Sequence, residues 1–314
     1  MGFGGPRSLD EVAPMLERIM AMGEGMVPPA QMERIVQTAR AKYELIGGKS
    51  PNADIADAIC AQLKTALKDG IAGKYIQDIE VGMMFTEPLL EDTLARLAGA
   101  GCERIIYLSI TAYDSFAAWE GPYLRTVKEA AKLGITDVVR APTFGTSSAY
   151  VQAHTDMLCR AVGQLGYTDG VHHTFVAHSL PIDDPHEMAE RYNQQLLDTI
   201  KGIDAKLAEQ CGSEIEAGTL SYVSIGARGG RWLKPTLEYV MEEAVTKGAK
   251  TMIVSPLGFS TDHMEVLYDL DIDAAKQAEA LGLQFVRTPT LATSEAVNPA
   301  LIAALTDSLQ KALR

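Results

Sequence analysis

Apolar positions along the chain fall into two alternating rhythms. Short continuous runs such as RIIYLSI (104–110) and TMIVSPL (251–257) suit strands covered on both faces. Between such runs lie segments with apolar residues three or four apart, such as LLEDTLARLAGA (89–100) and TLEYVMEEAVTK (236–247), which read as amphipathic helices. Strands that alternate with helices of about 10–15 residues imply βαβ units and parallel sheets.

The layout occurs twice. In the first half a strand is expected at IQDIEVGMM (76–84). Pro88 then opens a helix, Gly101 closes it, and ERIIYLSI follows. In the second half TLSYVSI (219–225) is followed by Pro235, a helix, Gly248 and KTMIVSPL. Proline near a helix start and glycine past its end obey backbone rules, since one fixes φ and the other accepts a left-handed cap. KLGITDVVRAPT (132–143) and ALGLQFVRTPT (280–290) continue the correspondence, an offset of about 147 residues. The pattern predicts an α/β protein of two Rossmann-like domains, residues 1–145 and 146–292, with parallel four-stranded sheets facing a central cleft. Residues 293–314 are expected as a helix packing back on the first domain. The second half owns a leading strand, HHTFVAHSLP (172–181), that the first half lacks, because only Met1 precedes GFGGP. The expectation is a mis-assigned start, with Met1 an internal residue of a strand that the common 2-1-3-4 order places inside the sheet.

Charge and composition narrow the class. The 28 Lys and Arg stand against 41 Asp and Glu, a net charge of −13, which argues against a nucleic-acid partner. No apolar run approaches the ~20 residues of a membrane span, and the amino terminus does not read as a signal peptide. Cys60, Cys102, Cys159 and Cys211 stand far apart without a CxxC pattern, so free thiols and a cytoplasmic location are expected.

Ligands of parallel α/β sheets bind beyond the carboxyl ends of the strands. Two of those loops carry chemistry. His178 directly follows an apolar strand on the turn HSLP, where an imidazole can accept a proton or bind a metal. In PLGFSTDHMEVLYDLDID (256–273), Asp262 is expected to cap a helix on which Glu265, Asp269 and Asp273 fall at i, i+4 and i+8, one face. Asp271 lies nearby. A carboxylate row can be a solvated acidic face, or a path for protons or hard cations. GFGGP and IGGKSP fit neither common phosphate-loop pattern. Trp232 lies in a cleft-facing loop, where it suits either packing or a flat ligand.

Taken together, GFGGP (2–6), IGGKSP (46–51), FVAHSLP (175–181), RWLKPT (231–236), PLGFSTDHMEVLYDLDID and RTPTL followed by NPALIAAL resemble the ferrochelatase family over nearly the whole chain. The resemblance implies chelatase-type domains around a porphyrin cleft and insertion of Fe²⁺ into a porphyrin, protoporphyrin IX or coproporphyrin III. It implies that His178 and Glu265 handle pyrrole protons and metal across the ring centre. Asp269, Asp273 and Asp271 would continue a proton or metal path. Gly4, Gly5, Pro6, Arg7, Tyr113, Ser179, Leu180, Pro181 and Trp232 would contact the macrocycle. Iron and porphyrin are then substrates. No tightly bound cofactor and no [2Fe–2S] cluster are expected, since no cysteine follows Cys211. The chain would act as a monomer or homodimer, with transient contact to a membrane or haem acceptor. The Met-rich stretch 20–31 suits either core packing or a lip over the cleft. Two departures stand out. Met84-Phe85 replaces a common Arg-Tyr, and TAYDSF (111–116) replaces a loop with Pro-Gln-Tyr-Ser. Two other readings remain open: a chelatase placing Co²⁺ or Ni²⁺ into another tetrapyrrole, which would be expected to carry more histidines at the metal, and a non-catalytic haem- or metal-binding protein.

Overall fold

A computed structural model describes residues 1–21, 28–68, 74–183, 187–211, 216–225 and 230–314. Part of the Met-rich stretch 20–31 therefore lies outside the described residues. The chain opens with helices α1 (Val12–Ala21), α2 (Pro29–Leu45) and α3 (Asn52–Lys68). Next come α4 (Leu90–Gly99), β1 (Arg104–Tyr107), α5 (Gly121–Lys132), β2 (Asp137–Arg140) and α6 (Ser148–Leu165). The second half runs β3 (Val171–His178), α7 (Met188–Gln210), β4 (Thr219–Val223), α8 (Leu237–Thr246) and β5 (Thr251–Ser255). A π-helix at Glu265–Ala274, α9 (Ala275–Ala280), β6 (Gln284–Arg287) and α10 (Pro299–Ala312) complete it.

The second sheet is parallel, in the order β4-β3-β5-β6. The leading strand β3 thus lies inside, as the 2-1-3-4 arrangement requires. Its side chains alternate between two cores. Phe175 and Ala177 pack with Tyr150, Leu158, Leu196 and Ile203 of α6 and α7, while Val176 packs with Met252, Val266 and Leu270 on the other face. Burying side chains such as Phe175 and Leu196, both fully enclosed, contributes roughly 1.5–3 kcal/mol each. The first of these cores also takes Ile55, Ile59 and Leu63 of α3 and Leu301 and Leu305 of α10. The carboxyl-terminal helix packs on α3 and α6.

The first sheet differs from the expected plan. Among the described residues it has two strands, β1 and β2, paired in parallel from Arg104↔Asp137 to Tyr107↔Arg140. The segment 76–84 forms no strand and joins its neighbours only through bridges Gly2↔Met83 and Met83↔Leu89. Between this segment and β1 lies a cavity of about 750 Å³, so among the described residues most of its length has no strand to pair with. The two halves still match in detail. Met83 N–H donates to the Pro88 carbonyl and Tyr222 N–H to the Pro235 carbonyl, and both prolines follow cis peptide bonds.

The expectation of four free thiols is corrected. Cys159 of α6 and Cys211 at the end of α7 form a disulfide with a Cα–Cα distance of 6.1 Å, while Cys60 and Cys102 are free. Cysteines 52 residues apart in sequence carry no pairing signal, and only the packing of α6 on α7 brings them together. One of the arguments for a cytoplasmic location, the absence of disulfides, is thereby removed.

Candidate active site

The site assembles where β3 ends. His178 is the last residue of that strand, and Gly258 allows the loop after β5 to cross against it. A Cβ at residue 258 would lie 2.6 Å from the Ala177 Cβ, and the Gly258 N–H donates to the Val176 carbonyl at 2.9 Å. The loop then carries His263 and Glu265 over the strand end. His178 Nε2 lies 3.6 Å from Glu265 Oε1, and His263 Nδ1 lies 3.8 Å from Glu265 Oε2. Both His178 and Glu265 are about one-third exposed, so a ligand in the cleft can reach them.

The orientation of His178 follows from its other nitrogen. Nδ1 is 2.5 Å from the Ser179 carbonyl, which can only accept, so Nδ1 carries the proton. Nε2 is then the nitrogen left to face Glu265. Burial pushes the His263 imidazole below its ordinary range, and the nearby Glu265 carboxylate opposes this. His263 also packs edge-on against Phe259 at 5.0 Å.

The acidic row lies on a π-helix rather than an α-helix, a form common at functional sites. Val266, Leu270 and Ala274 bury its apolar stripe in the second-domain core. Glu265, Asp269 and Asp273 each precede one of these residues and so line one flank of the stripe. Asp269 Oδ1 accepts from Lys42 Nζ at 3.1 Å and Oδ2 from Ser224 Oγ at 3.0 Å. The Lys42 ammonium also sits 4.5 Å from the Tyr268 ring centre. Asp273 is exposed and accepts from Gln277 Nε2 at 3.3 Å. Asp271 leaves the row, because it follows Leu270 on the stripe's other flank and its carboxylate is bidentate to Arg287 of β6. Asp262 caps nothing. Its carboxyl accepts from Thr290 Oγ1 at 2.8 Å, and burial holds it above the usual carboxylate range.

Several of the expected porphyrin-contact residues are buried and held by protein partners. Tyr113 is fully buried between Tyr150 and Tyr192, edge-on to both. Ser179 is fully buried, donating Oγ–H to the Leu233 carbonyl and N–H to that of Val223. Gly5 and Pro6 are buried as well. The Gly5 N–H donates to Thr86 Oγ1, and the Pro6 carbonyl accepts from Ser50 N–H. A Cβ on Gly5 would lie 2.4 Å from Ser50 Oγ, so this glycine serves the packing of two loops. Arg7 is held by Asp54 and Asp57 of α3, at 3.7 and 3.4 Å. Gly4, Leu180, Pro181 and Trp232 are half-buried, and Pro181 bridges to Trp232 in antiparallel fashion.

The divergent positions are interior too. Met84 and Phe85 are buried, and exposed Phe3 lies 4.6 Å from Phe85, ring centre to ring centre. In the TAYDSF loop, buried Asp114 accepts from Arg191 at 3.2 Å and Thr143 at 3.0 Å. The residues that sequence reasoning missed are Lys42, Ser224 and the neighbouring Tyr43. They lie on α2 and in the loop after β4, and no local pattern marks them. Burial and the Glu265 carboxylate together push the Tyr43 phenol up. His263, beside Glu265, adds a second imidazole to the site. Among the described residues no three His, Cys, Asp or Glu converge as a metal cluster, and no helix is long and apolar enough to cross a membrane.

Comparison with known proteins agrees with this layout. Two solved structures share the fold at 14% identity: SirB from Bacillus subtilis with Fe³⁺ (TM-score 0.50, 80% of this chain and 88% of that one), and CbiX, described as the terminal enzyme for biosynthesis of siroheme in denitrifying bacteria (TM-score 0.52, 83% and 94%). The ferrochelatase of Aquifex aeolicus is 31% identical over 98% of this chain and 96% of its own length. The coproporphyrin III ferrochelatase of Streptomyces coelicolor is 29% identical over 93% and 79%. The family profile named Ferrochelatase matches residues 1–313, and the chain belongs to the ferrochelatase family.

Proposed function

We infer that this chain inserts ferrous iron into a porphyrin to form haem or its carboxylated precursor, with both iron and porphyrin as substrates. One observation carries the assignment of roles: Nε2 of His178 faces Glu265 across 3.6 Å at the open end of β3. Insertion replaces two pyrrole N–H protons by one Fe²⁺, so two protons must leave as the ion enters the ring. Nε2 accepts the first. Glu265 lies close enough to take the proton on or to accept the second.

The carboxylate row then leads outward, from half-buried Glu265 through Asp269 to exposed Asp273. In this reading the row carries protons outward, with Asp269 paired to the Lys42 ammonium. In this reading the protein works in the cytoplasm without a resident cofactor.

A rival chelatase reading is favoured by one feature, the second imidazole of His263 beside Glu265. Anaerobic turnover separates the two. Purified protein is offered Fe²⁺, Co²⁺ or Zn²⁺ with protoporphyrin IX or coproporphyrin III, and product is read by its absorption spectrum. Iron insertion into one of these porphyrins is expected. Stoichiometric binding without turnover would instead support a carrier.

A further inference from the structure

Three buried tyrosines lie beneath the active site, and none has a part in the chemistry described above. Tyr150 of α6 donates its hydroxyl to the Leu257 carbonyl at 2.9 Å, on the residue that precedes Gly258. Tyr192 of α7 brings its hydroxyl to the same crossing. A Cβ at residue 258 would lie 3.3 Å from the Tyr192 hydroxyl oxygen, and the phenol stands beside the His178 main chain. The crossing itself is made by the Gly258 N–H on the Val176 carbonyl. There the loop that bears His263 and Glu265 is laid over the end of β3.

Tyr113 joins the two phenols. It comes from the TAYDSF loop in the first half of the chain and stands edge-on between them, 6.1 Å from each ring centre. Gly145 makes the room, since a Cβ there would lie 2.3 Å from the Tyr113 ring. The next residue fastens the same loop to α7. Asp114 N–H donates to Gln195 Oε1 at 2.9 Å, and its carboxylate accepts from Arg191. Arg191, Tyr192 and Gln195 lie within about one turn of α7. The TAYDSF loop is thus seated in the helices that support the crossing. Burial pushes all three phenols far up. They stay neutral while the site works, so they act by shape and hydrogen bonding rather than as proton carriers.

We propose that Tyr150 and Tyr192 are positioning residues that hold Glu265 against His178, and that Tyr113 couples them to the first half of the chain. The proposal rests on the reading of His178 and Glu265 as the proton-handling pair. Gly258 N–H gives the loop one attachment to β3. A second, from the Leu257 carbonyl to α6, hinders rotation about the first, and the Tyr192 phenol abuts Gly258 from α7. A shift at the crossing is carried along the loop to Glu265, and misplacing a catalytic group by about 1 Å can cost about 10²-fold in rate. The TAYDSF loop then acts on the site from beneath rather than on a ligand in the cleft.

The test removes each hydroxyl and keeps the ring, in Tyr150→Phe and Tyr192→Phe. The control is Tyr222→Phe, whose hydroxyl donates to Asn193 of α7 and not to the crossing. Exchange of the Gly258 amide is followed by NMR, together with kcat and porphyrin KM for iron insertion. Tyr150→Phe and Tyr192→Phe are expected to speed Gly258 exchange at least about tenfold beyond what any fall in Tm accounts for. They should lower kcat about tenfold and leave KM within about twofold. In a Glu265→Gln background the same changes should cost less than about twofold in kcat, because the group they position is already lost. Tyr222→Phe should leave Gly258 exchange and kcat within about twofold. Unchanged exchange in both variants, equal effects from Tyr222→Phe, or full additivity with Glu265→Gln overturns the proposal. If the unaltered chain inserts no iron, the functional reading fails, while Gly258 exchange still decides whether the phenols hold the crossing.

Discussion

The two sheets share one plan and differ at one strand. In the second, β3 is enclosed on both edges and both faces, and its carboxyl end holds His178 against Glu265. In the first, the same position is mostly cavity, and the residues at its end, Met1 to Pro6, are spent on tying loops together. The difference teaches where chemistry can sit. A side chain that must meet a carboxylate at a set distance needs a strand that cannot shift, and among the described residues the second sheet offers one in β3. The first half contributes walls instead, with Lys42 and Tyr43 of α2 brought against the π-helix.

That contrast can be broken most directly at the strand end. His178→Ala should lower kcat for iron insertion by about 10²–10⁴-fold while porphyrin binding, read by fluorescence titration, stays within a factor of a few. Near-normal turnover would remove His178 from the mechanism. Equal truncations compare the sheets themselves. Phe175→Ala should cost about 3–5 kcal/mol in urea unfolding, whereas Ile106→Ala, beside the cavity, should cost less than half as much. Equal losses would mean that the first sheet is as tightly packed as the second.

Glu265→Gln should lower kcat by about 10–100-fold without changing the porphyrin KM, since Gln keeps the shape but cannot take a proton. Smallest of all, Asp273→Asn should slow turnover no more than about threefold, because an exposed last carboxylate can be replaced by water. A loss matching that of Glu265→Gln would contradict a graded proton path.

Much of this was legible in the residues. The repeat, the strand order of the second sheet, and the pairing of a strand-end His178 with a carboxylate row all follow from periodicity and from the rule that ligands meet strand ends. What failed did so for tertiary reasons. IQDIEVGMM has the pattern of a strand, but a strand needs a neighbour, and its neighbour's place is a cavity. Tyr113 and Ser179 lie in loops where ligand contacts are expected, yet each is turned inward by its partners. Lys42 could not be foreseen, because α2 reaches Asp269 across 227 residues of sequence. Asp271 lies between two members of the acidic row, and the side of the apolar stripe on which it falls sends it to Arg287.

The π-helix has a consequence for how the chain tolerates length changes. Its ten residues place Glu265 at the start and keep Val266, Leu270 and Ala274 on the core. Deleting one residue from 267–273 would invite a tighter α-helical turn and rotate what precedes it by about 100° relative to that anchored stripe. Glu265 would swing off His178 although every catalytic group remained in the sequence. The segment should therefore accept substitutions on its exposed side far more readily than any insertion or deletion. Length, as much as residue identity, is what this stretch has to keep.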